Sequence, residues 1–278
     1  AAVDGRDIDF VAEIARELPA RVVTGMFGVP PGRRAEFARW AGDIQQATGA
    51  AVLTRPMIER YHQTLAELSA ALMELIEFRR REPQDDLLTA LVRARDAGDQ
   101  LSEDELLGAC HATIIGGFET TMHMLTLGLI EFAGKPELLP HLLGGTDACQ
   151  QTIDELMRHV GMVKGMLRIA REDFEWHGKQ IRRGDLVFGM NMSGSRDEAV
   201  WKDADRMDPL RNNRMSMAFG AGPHHCLGHL LAKMELGEFF TETFAHYDVQ
   251  IRETRHQHIN SFAFRGLERL PVRITRRV

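Results

Sequence analysis

The stretch from Leu107 to Ala133 most limits what this chain can fold into. Written on a helix, it is apolar almost all round, and a helix of that kind is buried on every side. It should therefore run through the middle of the domain, with the other helices arranged about it. Its ends are legible. Ser102 and Glu105 form the S-x-x-E pattern that caps a helix start, and Gly134 followed by Pro136 ends it.

The rest of the chain supports a mainly α fold with a small β portion near its end. Residues 7–18 and 31–46 read as helices separated by the breaker Val29-Pro30-Pro31-Gly32. Tyr61, Leu65, Leu68, Leu72 and Leu75 share one face of a helix over 57–81, and Arg79-Arg80-Arg81 reads as its solvated basic end. A further helix covers about 147–160. Short strands with turns at His177-Gly178 and Arg183-Gly184-Asp185 follow between about 168 and 192. The sequence predicts a helix over 227–246 and strand-like pieces near 248–252, 258–264 and 271–275. With 278 residues, 44% of them hydrophobic, the chain can bury a large core, and it reads as one domain over 1–278. A net charge of −6 gives no reason to expect nucleic acid as a partner. No apolar run approaches the roughly 20 residues that span a bilayer. The N-terminal residues lack the pattern of a secretory signal. Three cysteines, Cys110, Cys149 and Cys226, cannot build a disulfide framework, so a reduced, cytoplasmic protein without a membrane anchor is expected.

The most informative segment is Phe219-Gly220-Ala221-Gly222-Pro223-His224-His225-Cys226-Leu227-Gly228. Its glycines permit backbone conformations that other residues avoid. The cysteine stands where the loop turns into a helix, where unpaired N–H groups favour a thiolate, the form in which sulfur ligates a soft or borderline metal. Phe219 could shelter the sulfur, and Gly228 would let a flat group approach the backbone. Two other readings stand beside this one. Cys226 could be a structural cysteine in a glycine-rich turn, or part of a zinc site with His224, His225 and His229, although a single thiolate among adjacent ligands matches no usual zinc spacing.

Two further constellations lie upstream. Glu155 and Arg158 are three apart on a helix and can pair, either as an ordinary surface ion pair or as part of a core; Asp208-Pro209-Leu210-Arg211 follows. Gly116-Gly117-Phe118-Glu119-Thr120-Thr121 sits inside the apolar helix. Adjacent glycines weaken a helix, and a carboxylate in an apolar stretch is costly unless paired or functional. Together they suggest a local kink and a polar groove beside a ligand; the alternative is a small-residue packing contact with a solvated Glu119.

Taken together, these motifs resemble the cytochrome P-450 family in its bacterial form. F-x-x-G-x-H-x-C-x-G is filled by Phe219, Gly222, His224, Cys226 and Gly228, with Gly220 inside it. The resemblance implies that Cys226 ligates the iron of haem b and that His224 and Arg168 contact its propionates. It makes Glu155, Arg158 and Arg211 a structural lock beside the cysteine loop. Gly116 and Gly117 would lie along the cofactor. Thr120 would bond the bound oxygen species or its water, with Glu119 relaying protons. Gly178 to Val187, Arg265-Gly266 and Leu270-Pro271-Val272 resemble the family's later strands. Two departures are visible: no proline follows E-x-x-R, and the family's N-R-D-P reads Ser195-Arg196-Asp197-Glu198. The resemblance covers essentially the whole chain and makes it the C-terminal two-thirds to three-quarters of the family fold, truncated at its N-terminus.

The function so implied is a haem-dependent monooxygenase. It would insert one oxygen atom from O2 into a small apolar substrate, with electrons from NAD(P)H through a ferredoxin or flavin reductase. That partner would dock where Arg196, Lys202, Arg206, Arg214 and Lys233 offer a basic patch. A non-catalytic recruitment module or inactive fragment, and a peroxide-driven oxygenase, are the competing expectations.

Overall fold

The computed structural model describes residues 4–50, 52–97, 101–212 and 215–277. Helices dominate: α1 (Glu17–Met26), α2 (Arg34–Gly49), α3 (Arg55–Arg81), α4 (Leu87–Asp96), α5 (Glu103–Gly134), α6 (Leu139–Leu142), α7 (Thr146–Val160), α8 (Asn191–Gly194) and α9 (His229–His246). Strands β1 (Asp7–Asp9), β2 (Met166–Ile169), β3 (Phe174–Trp176), β4 (Lys179–Ile181), β5 (Leu186–Gly189), β6 (Tyr247–Ile251) and β7 (Pro271–Arg276) form one three-stranded sheet and two antiparallel pairs.

Helix α5 organises everything else. Ser102 and Glu105 close the expected capping box: the Ser102 hydroxyl accepts the Glu105 N–H at 3.2 Å, and the Glu105 carboxylate accepts the Ser102 N–H at 2.8 Å. The helix then runs unbroken through Gly116-Gly117 to Gly134. Burial on all sides does not begin at Leu107, as the sequence pattern predicts, but covers residues 121–129. Before that, every fourth residue is buried: Leu106, Cys110, Ile114 and Phe118. The physical reason is that α5 serves two cores in turn. Its first half presents one face to α1–α4, joining Val23, Phe37, Trp40, Leu68 and Leu72. Its second half is enclosed by α7, α9 and the three-stranded sheet, among Leu156, Phe240, Phe244 and Val272. Glu119, Thr120 and Thr121 occupy the seam between the two.

Elsewhere the structure corrects the sequence reading in four places. Residues 7–18 are not one helix. Asp7–Asp9 form β1, paired antiparallel to β7 with Ile8 opposite Val272, and a π-helical turn (Val11–Ala15) follows before α1. The partner strand lies over 260 residues downstream, beyond the reach of local periodicity. Residues 258–264 form no strand; they make isolated bridges, Val163 to Phe264 and His258 to Leu267. Arg79 is not part of a solvated basic end. It follows Leu75 by four residues, on the buried face of α3, where it bonds Asp86 at 2.5 Å and the Gly28 carbonyl at 2.9 Å. A helix not expected from the sequence, α4, begins at Asp86, whose carboxylate accepts the Thr89 N–H at 2.8 Å.

Close packing in the second core is set by a missing side chain. A Cβ on Gly128 would stand 2.6 Å from Phe240 Cζ and 2.9 Å from Leu156 Cδ2, and Phe240 is itself wedged against Phe132 at 5.0 Å. Gly128→Val therefore overpacks the α5–α7–α9 contact. The expected cost is about 2–3 kcal/mol, read as a lower urea midpoint with an unchanged slope.

Candidate functional site

Helix α7 presents its Glu155 and Arg158 side chains inward, and neither has measurable exposure. They are a two-pronged pair: Arg158 Nε to Glu155 Oε2 at 2.7 Å and Nη2 to Oε1 at 2.8 Å. Arg211 Nε reaches Glu155 Oε1 at 3.1 Å, and the Asp208 N–H donates to the same oxygen at 2.8 Å. The arginines' remaining donors go to backbone. Arg158 bonds the carbonyls of Ser195 (2.8 Å), Ala204 (2.9 Å) and Arg206 (3.2 Å); Arg211 bonds those of Lys202, Asp203 and Arg206. This is the core lock and not the surface pair that the spacing also allowed. It ties down residues 195–211, a segment without strands or long helices that leads into the cysteine loop.

Both sequence departures have a local account. Helix α7 needs no proline to stop, because Gly161 turns the chain at φ 53°. In the Ser195-Arg196 segment, Ser195 supplies a carbonyl to Arg158, and Arg196 bonds the His159 carbonyl at 2.6 Å as well as Asp205.

The cysteine loop follows. Gly220 and Gly222 take φ 72°, a conformation that other residues rarely adopt. The turn closes with the Cys226 N–H on the Phe219 carbonyl at 3.0 Å. The His229 ring fixes the exit, its Nδ1 lying 2.9 Å from the Cys226 carbonyl. A carbonyl can only accept, so Nδ1 carries the proton. Phe219 backs the loop: its ring lies 5.9 Å from His229 and 5.9 Å from the Lys233 ammonium. Helix α9 starts at His229, two residues later than expected, so Cys226 stands before its first turn. Burial pushes the Cys226 thiol up, and a bond from the Gly228 N–H pulls it partly back. The net direction is opposite to the one that the helix start alone would favour.

The residues present fit a flat, largely apolar group with one axial thiolate. Cys226 is exposed, and Leu227 beside it is 91% exposed. A side chain added at Gly222 or Gly228 would meet open space. The β2–β5 pair adds exposed Leu167, Ile169 and Leu186, and Asn191 at its end donates to the Met217 carbonyl at 3.1 Å, joining the pair to the loop. Among the described residues, no three His, Cys, Asp or Glu side chains are arranged to share a metal ion, as the zinc alternative requires. Arg168 lies on β2 and His224 in a short turn; both are exposed.

On α5, Gly116 faces open space, and its carbonyl accepts the Thr120 hydroxyl at 2.6 Å. Gly117 has a different job: a Cβ there would stand 2.7 Å from Val23, so the small-residue packing contact is real at this position. Glu119 is not fully solvated. A Cβ on Gly42 of α2 would lie 2.8 Å from its Oε1, and burial raises its carboxyl above the ordinary range, with Arg16 opposing and Asp43 adding. Behind it lies His123, 2% exposed, with Nε2 3.8 Å from Glu119 Oε2. The sequence carried this histidine in plain view, four residues after Glu119, but its apolar neighbours hid it.

The basic patch is mostly spoken for. Arg196 is engaged as described, and Lys233 pairs with Asp154 at 2.6 Å. Lys202 and Arg206 are exposed, and Arg214 lies outside the described residues. A cleft of 610 Å³ on this side is lined by Asp154, Arg211, Phe219, His225, His229 and Lys233, among others.

The family model for cytochrome P450 matches residues 45–142 and 148–274. The chain belongs to the cytochrome P450 family. It is 36% identical over 276 residues to the mycinamicin IV hydroxylase/epoxidase of Micromonospora griseorubida, covering 98% of this chain and 68% of that protein. It is 30% identical to the 6-deoxyerythronolide B hydroxylase of Saccharopolyspora erythraea, covering 98% and 67%. The crystal structure of CalO2 superposes with a TM-score of 0.89 at 27% identity, covering 99% of this chain and 69% of that one. Across the curated relatives matched, the chain spans 57% to 68% of their length. The fold is thus the cytochrome P450 fold, mainly helical with small sheets, over the part that is present. The family is one of haem-containing oxidoreductases whose named members here are hydroxylases and monooxygenases. No helix among the described residues is long and apolar enough to cross a membrane.

The lock at Glu155 makes a direct prediction for this P450 chain. Glu155→Ala strands the Arg158 charge in the core, and the expected loss is about 3–5 kcal/mol of folding stability. Glu155→Gln keeps the shape and one acceptor, so it should lose less. Urea unfolding of the two variants checks this; equal losses would show that shape and not charge holds the segment.

Proposed function

We propose that the chain is the catalytic part of a haem b monooxygenase, with Cys226 as the residue that would hold the iron through its sulfur. One observation carries the reading: an exposed cysteine on a glycine-shaped loop follows a segment held by a buried Glu155–Arg158 pair joined by Arg211. Haem held by a thiolate activates O2 for insertion into unactivated bonds. This chain's own residues supply the rest. Phe219, Gly220, Gly222 and Gly228 shape the loop that holds the sulfur. His224 and Arg168 are the exposed hydrogen-bond donors suited to the two propionates. Gly116 leaves room beside α5. Thr120, its hydroxyl turned to the Gly116 carbonyl, keeps its oxygen's remaining capacity for a water or substrate oxygen. Glu119, at the edge of the buried seam with its carboxyl raised by burial, is the group we assign to relay protons between solvent and Thr120.

The substrate class we infer is a small apolar organic molecule, in keeping with the relatives matched. Relatives named for mycinamicin IV and 6-deoxyerythronolide B hydroxylation support a hydroxylation chemistry. Electrons would come from NAD(P)H through a ferredoxin or flavin reductase, docking at the cleft beside Phe219 and His225, where exposed Lys202 and Arg206 lie on the neighbouring segment. The acid–threonine pair on α5 favours O2 over peroxide as oxidant. Retention of that pair together with Cys226 disfavours a pure recruitment module.

The test is spectroscopic. Haem-loaded protein, reduced and treated with carbon monoxide, should show the strongly red-shifted Soret band of thiolate ligation, and Cys226→Ala should abolish it. Failure to take up haem would overturn the reading for this chain. Thr120→Ala should raise peroxide released per NAD(P)H by about tenfold, the scale of one lost proton-handling group. Unchanged coupling would remove Thr120 from the relay.

A further inference from the structure

His123 is an anomaly in an otherwise apolar half-helix. It is 2% exposed, and neither ring nitrogen has a hydrogen-bond partner. Buried polar groups are nearly always paired, so an imidazole unsatisfied at both nitrogens needs an explanation. Its surroundings leave only one direction for a partner. On the Nδ1 side the tail segment presses against the ring: a Cβ on Gly266 would stand 2.2 Å from Nδ1 and 2.4 Å from Cε1. That leaves no space for a water. On the Nε2 side is the Glu119 carboxylate, one helical turn back, at 3.8 Å.

The tautomer follows from this asymmetry. A proton on Nδ1 would face the Gly266 backbone with no acceptor. A proton on Nε2 faces a carboxylate oxygen. The 3.8 Å gap exceeds a hydrogen bond, but the two partners differ in freedom: the Glu119 side chain is 21% exposed and can turn, while His123 is enclosed. We infer that His123 is a positioning residue: its Nε2–H draws in the Glu119 carboxylate and holds it at the seam between the two cores.

The inference deepens the proposed role of Glu119 in proton transfer and rests on it. His123 touches no substrate or cofactor; it acts through Glu119. A neutral donor beside a carboxylate favours the charged form, whereas burial favours the protonated one. Burial also drives His123 down to about 4, with Arg16 adding to the fall, so the ring is neutral near pH 7 and serves as a donor and not as a charge. The other groups facing the pair are Arg16, before α1, and Asp43, on α2; Thr120 is turned to the Gly116 carbonyl, and Arg265 of the tail segment to the Val160 carbonyl. Asp43 is in turn held by Arg60 at 2.7 Å. His123 thereby offsets part of the upward pull of burial on the Glu119 carboxyl.

The test reads the carboxyl itself and needs neither haem nor turnover, so it can fail independently of the monooxygenase reading. Protein labelled with ¹³C at glutamate carboxyls is titrated by NMR, with the Glu119 signal assigned by its loss in E119Q. H123F, which keeps a ring of similar size without a donor, should raise the Glu119 midpoint by about one pH unit. H123Q, whose amide can donate from a similar reach, should restore most of it. G266A, whose methyl presses on the imidazole from the side opposite Glu119, should push Nε2 toward the carboxylate and lower the midpoint, and it provides the test should H123F not fold. A midpoint unmoved in H123F or in G266A overturns the inference. So does an H123Q midpoint equal to that of H123F.

Discussion

The buried contact among Glu155, Arg158 and Arg211 is the constraint on which the working part of this molecule depends. Burying three charges is costly, and a buried ion pair is not by itself a source of net stability. The cost is met here by near-complete hydrogen bonding. Glu155 accepts from both arginines and from the Asp208 N–H, and the arginines spend their other donors on backbone carbonyls from Ser195 to Arg206. What the cluster gains is definition. Residues 195–211 have almost no ladder hydrogen bonds of their own, so side chains from α7 supply the partners that a sheet would otherwise provide. The cysteine loop inherits its position from that segment.

The same logic explains how the loop can present a sulfur without regular structure. Its backbone bonds are few: Gly220 to Met217, Cys226 to Phe219, His225 to Gly222. The remaining order comes from its two ends, the braced segment before it and α9 after it, and from Phe219 packed toward the second core. A loop fixed at both ends can leave its middle exposed. Cys226 lies in that exposed middle, where the proposed function needs it.

Much of this was legible in the sequence, and the limits have physical causes. The capping box, the end of α5 at Gly134, the α3 stripe and the Glu155–Arg158–Arg211 set depend on spacing within one element or on motifs in order, and all of them appear. What escaped was tertiary. Strand β1 exists because β7 lies beside it, not because Asp7-Ile8-Asp9 has strand character. Arg79 is buried because Asp86 and the Gly28 carbonyl wait for it. Gly42, Gly117, Gly128 and Gly266 matter for side chains of other elements pressed against them, which no local pattern encodes. At the cysteine loop the helix start lies two residues further on than the local pattern predicts, at His229.

The placement of Glu119 and Thr120 follows from the two-core construction. Helix α5 has to change partners, because its first half packs on α1–α4 and its second half on α7, α9 and the sheet. A close-packed interior tolerates no unpaired carboxylate, but a seam between two cores is less constrained: neighbours on one side need not interlock with neighbours on the other. Gly42 withholds a side chain from the seam on the α2 side, and Gly266 does so on the side of the tail, where His123 fills the space instead. The seam thus offers a carboxylate partial burial, a neutral donor and a path to solvent within one turn of helix. Any of the three alone would leave Glu119 ordinary. Burial raises its carboxyl, and the donor and the solvent path act against that pull. The chemistry proposed for this helix therefore depends on its being shared between two cores, more than on the adjacent glycines that first drew attention to it.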